Sequence, residues 1–395
     1  RLASGTFEYL RLEVGVADVE HCTLRTRNFT HDLHPTDAPR AWLNPAVTTI
    51  IVMSAPEGIF EPSVTSWLNT SVDGAVGPYS WEIIAGGHSN LTFLVTDANG
   101  RRLVLRRPPL AHGLASAHDM AREHRIISAL NRSSVPVPTT VGLCEDDRIN
   151  GAPFYVMEYV DGHVLRDVEA AERRLSEPAR ARASESLADT LAAIHEVDLV
   201  TVGLNDLGRH EDYLARQLRR WYGQWEQQRT RDLSLIDDVH AVLIANLPAQ
   251  QSATIVHGDY RLDNTMVDDD GNVCAVLDWE ICTLGDPLAD IAMLAVYWTG
   301  PTDTQSAWES GATAAAGFWD RNQLIERYAE SSGRDLGNFD LYMAFANWKL
   351  ACILEGVYAR YLGGALGERD TSELEPFKRQ VDSAARAAAD LLNVN

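Results

Sequence analysis

His257-Gly258-Asp259-Tyr260-Arg261-Leu262-Asp263-Asn264, followed by Val276-Leu277-Asp278-Trp279-Glu280, is the stretch that decides how the rest of the chain is read. Asp259 and Asn264 stand five positions apart. Downstream, Asp268-Asp269-Asp270-Gly271-Asn272 has the composition of a solvated turn, which puts Val267 and Val273–Leu277 in adjacent strands. A strand-turn-strand then delivers Asp278 back to the first loop. Phosphoryl transfer from Mg-ATP needs a carboxylate that orients an attacking hydroxyl and accepts its proton. It also needs oxygen ligands for magnesium. Asp259 supplies the first group as the catalytic residue, and Asn264 with Asp278 supplies the metal ligands. A lone D-x-x-x-x-N is common, whereas His-Gly-Asp, the spaced Asn and the later Asp-Trp-Glu rarely coincide.

Working outward, Trp81–Ala85 and Leu91–Thr96 read as strands around Gly86-Gly87-His88-Ser89-Asn90. Asp97-Ala98-Asn99-Gly100 is a turn signal, and Arg102–Arg106 is the next strand. A short helix is predicted from Pro62 and a longer one over Ala117–Leu130, with strands near Thr139–Cys144 and Phe154–Tyr159. After Gly162 the pattern turns helical. Leu187, Leu191 and Ile194 share one helix face, as do Leu214, Leu218, Trp221 and Trp225. The predicted class is α+β, with a β-rich lobe over 61–160 and a larger α-rich lobe over 161–395. Residues 1–60 read as an N-terminal extension, disordered or non-native, since 1–52 lacks sustained periodicity and Met53-Ser54-Ala55-Pro56 resembles a start. His21, Cys22, His31 and His34 within it match no standard zinc spacing.

Across 395 residues, 34 basic and 56 acidic side chains give a net charge of −22. That charge argues against sequence-independent binding to nucleic acid or to an anionic membrane. The longest apolar runs, Val47–Met53 and Ile291–Trp298, fall far short of the ~20 residues that span a bilayer. Five scattered cysteines form no C-x-x-C pair, so a disulfide framework is not expected and a reducing cytoplasm is. The charge is uneven: 61–160 holds 8 basic and 10 acidic residues, net −2, and 161–395 holds 21 and 39, net −18. Lysine occurs only at 349 and 378. No G-x-S-x-G supplies a hydrolase nucleophile, and no G-K-[ST] supplies a Walker loop.

The 257–264 loop with Asp278 has the spacing of a kinase catalytic loop and its metal aspartate. It resembles the signature of the aminoglycoside phosphotransferase and choline kinase-like family, which shares the protein-kinase fold. The likeness extends over roughly 61–395. Phe154–Gly162 resembles the hinge between kinase lobes, and Gly285-Asp286-Pro287 with Asp290-Ile291-Ala292 resembles the segment after the metal aspartate. Gly203-Leu204, Gly208-Arg209 and Arg216–Trp221 are similar to the subgroup whose kinase-like domains are fused to acyl-CoA dehydrogenases.

That resemblance implies ATP and Mg2+ as cofactors, with ATP between two lobes and a small-molecule hydroxyl as acceptor. Glu158 and Val160 would meet adenine through their backbones, and Gly86, Gly87, Ser89 and Asn90 would approach the phosphates. The family lysine is missing. Arg106, which shares a strand face with Val104, is the candidate to grip phosphate in its place, with Glu123 as its partner. His257 is expected to brace the loop, Glu280 to fix its geometry and His195 to be structural. Trp279 and Glu280 replace Phe-Gly, so no activation-loop phosphorylation is expected. Trp221, Trp225, Trp298, Trp319 and Trp348 suit helical core better than a cage for a quaternary amine.

The subgroup implies a hydroxyacyl group or its CoA thioester as acceptor, held by Arg216, Arg219 and Arg220 or by Arg360. The −18 field favours a cationic acceptor instead, an aminoglycoside or amino alcohol. A third alternative, suggested by the missing lysine, is a nucleotide-binding pseudokinase acting as an interaction module.

Overall fold

The computed structural model describes residues 55–85, 90–110, 119–300, 311–364 and 371–394. Of the 1–60 extension only 55–60 falls within them, and the four His and Cys residues of that segment lie outside. The chain divides into two compact units.

The first unit contains the described residues before Gly113, together with Cys144–Phe154. Helix α1 (Glu61–Ser71) opens with an acidic residue and a proline, both suited to a helix N-terminus, and buries Val64 and Leu68. Strands β1 (Ser80–Ala85), β2 (Leu91–Thr96) and β3 (Arg102–Arg107) form an antiparallel meander. The expected turn at 97–100 is built by Asp97, whose Oδ1 accepts from the backbone N–H groups of Asn99 and Arg101 at 2.8 Å each. Phe93, Val95, Leu103 and Leu105 are fully buried. Arg107 is buried with them, and its Nη1 donates to the carbonyls of Gly58 at 2.6 Å and Asn150 at 2.9 Å.

The second unit contains the described residues of Leu114–Leu143 and Tyr155–Asn395. Helix α2 (Met120–Leu130) is capped by Asp119, which accepts from Arg122 N. Strands β4 (Thr140–Cys144) and β5 (Phe154–Glu158) are neighbours. The remainder is mostly helical, as expected. It comprises α3 (Glu177–His195), α4 (Tyr213–Gln228), α5 (Ser234–Ala245), four short strands and then further helices. The strands pair antiparallel: β6 (Thr254–Val256) with β9 (Thr283–Gly285), and β7 (Thr265–Val267) with β8 (Val273–Val276). Helices α6 (Pro287–Tyr297), α7 (Arg321–Ser332), α8 (Phe339–Leu362) and α9 (Thr371–Leu392) follow.

Leu187, Leu191 and Ile194 of α3 are fully buried, as their spacing predicts. Leu214, Leu218 and Trp225 of α4 are buried, and Trp221 is half-buried. Trp225, Trp298 and Trp348 lie in the core, and Trp298 Nε1 donates to Trp319 O, so these rings are packing rather than a cage. No helix among the described residues is long and apolar enough to cross a membrane.

Candidate active site

The catalytic loop leaves β6 at His257 and is clamped from α6. Asp290, in the first turn of that helix and buried, accepts the backbone N–H of His257 on Oδ2 at 2.6 Å and that of Gly258 on Oδ1 at 2.9 Å. His195 Nε2 lies 3.4 Å from Oδ2, and the Tyr328 hydroxyl lies 2.7 Å from His195 Nδ1. Burial lowers the pKa of His195 and keeps it neutral. For Asp290 burial works against ionisation, yet the hydrogen bonds from His195 and Gly258 outweigh it and hold the carboxyl below its usual range. Gly258 sits at φ +88°, where a Cβ would also meet Ile281 at 3.1 Å, so only glycine fits this turn without strain.

His257 is fully buried and uses both ring nitrogens. Nε2 lies 2.9 Å from the Leu277 carbonyl and Nδ1 is 3.3 Å from Asp259 N. A carbonyl only accepts and an amide only donates, so the proton sits on Nε2 and the lone pair on Nδ1. The ring is therefore a brace and not a proton carrier, as the sequence suggests. Leu277 is held a second time, its N–H donating to Asn264 O at 2.8 Å. Those two bonds fix the start of the Asp278 loop against the catalytic loop. Asp278 itself adopts φ +62°, a left-handed conformation uncommon outside glycine and frequent at functional sites. Trp279 behind it is fully buried, donates Nε1–H to Val276 O at 3.0 Å and packs 4.8 Å from the His257 ring. The residue that follows Asp278 is thus an anchored indole.

Asn264 ends a single 3-10 turn, Leu262–Asn264, and donates Nδ2–H to both Asp259 O and Asp259 Oδ2, each at 2.9 Å. Its amide nitrogen is thereby committed, and no group among the described residues donates to its Oδ1. Asn264 Oδ1 and the Asp278 carboxylate are hard oxygen donors of the kind magnesium takes. Among the described residues no cluster of three His, Cys, Asp or Glu side chains is suited to a metal.

Sequence reasoning passed over Arg261. Its Nε is 3.5 Å from Asp259 Oδ2, its Nη1 is 3.3 Å from Asp263 Oδ2, and its guanidinium lies 5.2 Å from the Tyr297 ring centroid. Burial alone would lower its pKa, but Asp259 and Asp263 raise it and keep it charged. Tyr297, raised by burial and then by Asp259, hydrogen-bonds the Asp259 side chain. Arg166, Arg261, Asp263, Tyr297, Trp298 and Thr313 line a small cavity here.

Lys349 was also missed. It lies inside the apolar helix α8, where nothing in the local pattern marks it, and its Nζ approaches Gly258 O at 3.4 Å. The other expected site residues are placed as follows. Gly86, Gly87 and Ser89 lie outside the described residues, and Asn90 is buried just ahead of β2. Arg106 is half-exposed on β3, paired in register with Thr92, and Glu123 is buried on α2. Glu158 closes β5, its N–H spent on Thr139 O at 2.8 Å, and Val160 follows beyond the strand. The backbone of the Glu280 turn is held by Arg122, which donates to the carbonyls of Glu280 and Cys282. Arg219, Arg220 and Arg360 are exposed, while Arg216 donates to Arg209 O at 3.0 Å.

A carboxylate and an amide braced on one loop, with a second carboxylate delivered by a strand pair, belong to phosphoryl-transfer chemistry on a hydroxyl. The family model described as the phosphotransferase enzyme family matches residues 80–330, and the chain belongs to that family. Its relatives are more specific. Acyl-CoA dehydrogenase family member 10 of Mus musculus is 36% identical over 343 residues, covering 86% of this chain and 31% of that protein. Family member 11 of Gallus gallus is 31% identical over 322 residues, covering 80% of this chain and 40% of that protein. The chain therefore spans well under half the length of these relatives.

Among solved structures, a candidate aminoglycoside phosphotransferase from Ralstonia eutropha JMP134 matches with TM-score 0.70 and 31% identity, covering 83% of this chain and 98% of that one. The GDP complex of aminoglycoside 2'-phosphotransferase-IIIa matches with TM-score 0.56 and 15% identity over 83% of this chain and 99% of that one, a likeness of fold alone. The protein-kinase-like α+β fold is thus the fold expected from the sequence, with its β-rich first part and α-rich second part. The resemblance to kinase-like domains fused to acyl-CoA dehydrogenases holds as well. The chain thus has the family membership and the fold of a phosphotransferase.

Proposed function

We propose that the chain transfers the γ-phosphate of ATP to the hydroxyl of a hydroxyacyl group, presented as a free acid or as its CoA thioester. The observation behind this is the Asp259–Asn264 pair, two 2.9 Å bonds, one to the Asp259 carbonyl and one to its carboxylate, that leave an amide oxygen for a cation. The acceptor oxygen attacks the γ-phosphorus, its proton passes to Asp259, and the bond to the β,γ-bridging oxygen breaks to release ADP. Asn264 and Asp278 would hold Mg2+, which when bound screens the charge of the phosphates. Arg261, with Nε 3.5 Å from Asp259 Oδ2, holds the base in its orientation. Arg106, with Glu123 as the partner that sequence assigns to it, steadies the non-transferred phosphates. Gly86, Gly87, Ser89 and Asn90 approach those phosphates from the glycine segment, and Glu158 and Val160 meet adenine. Because the Glu158 N–H is already committed, its contribution is the carbonyl. Residues 61–160 serve as the nucleotide lobe and 161–395 as the acceptor lobe.

The hydroxyacyl acceptor is supported by relatives named for acyl-CoA chemistry. A cationic acceptor is favoured by one observation, the net −18 of residues 161–395. Magnesium-ATP turnover against hydroxy acids, hydroxyacyl-CoA thioesters, aminosugars and amino alcohols, read by product mass, separates the two. Asp259→Asn is the control, with an expected loss of about 10²- to 10⁴-fold in kcat and ATP binding retained. Phosphorylation confined to the amines overturns the hydroxyacyl reading. ATP bound without turnover on any acceptor returns the pseudokinase.

A further inference from the structure

Lys349 is one of only two lysines in the chain, and it stands in an unusual place for one. It is 6% exposed, and among the described residues its one hydrogen-bond acceptor is Gly258 O, at a long 3.4 Å. An ammonium has three donors, and a buried one ordinarily finds a carboxylate or several short contacts. Neither Asp259 nor Asp290 forms an ion pair with Lys349, although the charges of both act on it. Two donors are left over, on a cation fixed to the residue that immediately precedes the catalytic base.

The surroundings say what would fill them. The Lys349 Nζ lies 5.6 Å from the Trp221 ring, and Arg220 lies 5.4 Å from the same ring. Burial lowers the Lys349 pKa, and Arg220 adds to that lowering. Arg220, on the same ring, adds positive charge to the field at Lys349, and that field favours an oxygen with negative charge. An ammonium group brought there would meet like charge at close range. The global −18 of the α-rich segment does not describe this spot.

Resting on the phosphotransferase reading above, we propose that Lys349 is an acceptor-binding residue. Its free N–H groups take a carboxylate or thioester carbonyl oxygen of the acceptor while the acceptor's hydroxyl faces Asp259. The acceptor then has two oxygens that matter, one to be phosphorylated and one to be held, and cationic alcohols are selected against.

The test uses the full chain as wild type, Lys349→Met and Lys349→Arg. The probes are 3-hydroxybutyrate, 3-hydroxybutyryl-CoA, 1,3-butanediol as the analogue without a carbonyl, and ethanolamine. Acceptor binding is measured by calorimetry with magnesium and a non-hydrolysable ATP analogue, so the result does not depend on turnover. Product mass and kinetics with ATP follow. Lys349→Met is expected to weaken binding of the acid or its thioester by about 10- to 100-fold. The affinity for the ATP analogue should stay within about twofold and Lys349→Arg should recover part of the loss. Butanediol is expected to bind weakly to all three proteins. A preference for the acid assigns the carboxylate, and a preference for the thioester assigns the carbonyl.

Unchanged acceptor affinity in both variants, with wild-type turnover on the acid or thioester intact, overturns the role of Lys349 and leaves the function standing. Binding and phosphorylation of ethanolamine in preference to the oxyacids overturns both. Should Lys349→Met lower the melting temperature enough to abolish ATP-analogue binding, Lys349→Arg decides. Wild-type acceptor affinity and wild-type KM in that variant, for probes that differ only in the carbonyl, would overturn the proposal.

Discussion

Asp290 holds His257 and Gly258 through their backbone amides, one on each carboxylate oxygen, at 2.6 and 2.9 Å. Two consecutive amides captured by one buried carboxylate fix the peptide plane that leads directly into Asp259. The base is aimed by a residue that never touches substrate. Asp290→Ala should therefore cost about 3–5 kcal/mol in urea unfolding, because it strands two buried N–H groups and leaves the His195 ring without its acceptor. Asp290→Asn, which keeps one accepting oxygen, should cost less. Both should lower kcat more than they raise the KM for ATP.

The same pair sets a pH dependence. The folded pKa of Asp290 lies below the ordinary 3.8 of an aspartate. Its contribution is thus present above the unfolded value and is lost as pH falls through the folded value. Urea midpoints taken from about pH 6 down to about pH 3 should drop more steeply for wild type than for Asp290→Asn. Parallel curves would remove Asp290 from the acid limb.

Gly258 sits at φ +88°, and a Cβ there would come 3.1 Å from Ile281 Cδ1. Ile281 is 49% exposed and can yield, so the dihedral and not the contact sets the cost of a side chain. Gly258→Ala should lose roughly 1–2 kcal/mol of stability. Its kcat should fall about 100-fold as Asp259 shifts. Adding Ile281→Ala should recover little of either, whereas full recovery would show that the clash dominates.

Much of this site was legible because its signals are local. Asp259, Asn264 and Asp278 lie within twenty-odd residues, and the acidic turn at 268–272 with its flanking valines announces the β7–β8 pair that joins them. The helix faces of α3 and α4 were equally plain. The clamp on that loop was not, since Asp290 and His195 lie far from it in sequence and reach it only through tertiary packing. The β6–β9 pair escaped too, because three-residue strands show no alternation. Lys349 was hidden in an apolar helix, where a single lysine reads as an ordinary break in a hydrophobic run. The two arginines ending β3 illustrate the limit. Alternation separates their faces, but only the carbonyls of Gly58 and Asn150 reveal which one is structural.

That distinction is testable. Arg107, buried against two carbonyls, should cost about 3 kcal/mol or more when changed to Ala, with the KM for ATP of the remaining folded protein unchanged. Arg106→Ala should do the reverse, raising the KM for ATP at least about tenfold with a small change in unfolding free energy. Arg106→Lys should retain part of the activity, since lysine keeps the charge but loses the bidentate grip. A wild-type KM for ATP in Arg106→Ala would remove it from the nucleotide site.

Asn264 combines two roles that substitution can separate. Its Nδ2 turns the base, with two 2.9 Å bonds to Asp259, and its Oδ1 is the oxygen proposed for magnesium. Asn264→Ala removes both, so the magnesium needed for half-maximal rate should rise about 10- to 100-fold while kcat falls. Asn264→Asp keeps an oxygen for the cation but sets a second acceptor against Asp259 O and Oδ2, where a donor is required. Its magnesium requirement should stay close to wild type and its kcat should still drop, because the base is no longer held in place. Rate measurements across a magnesium titration at saturating ATP and acceptor distinguish these cases. If both variants keep the wild-type half-saturation, Asn264 is a brace alone, and the cation must be held by Asp278 and the phosphates.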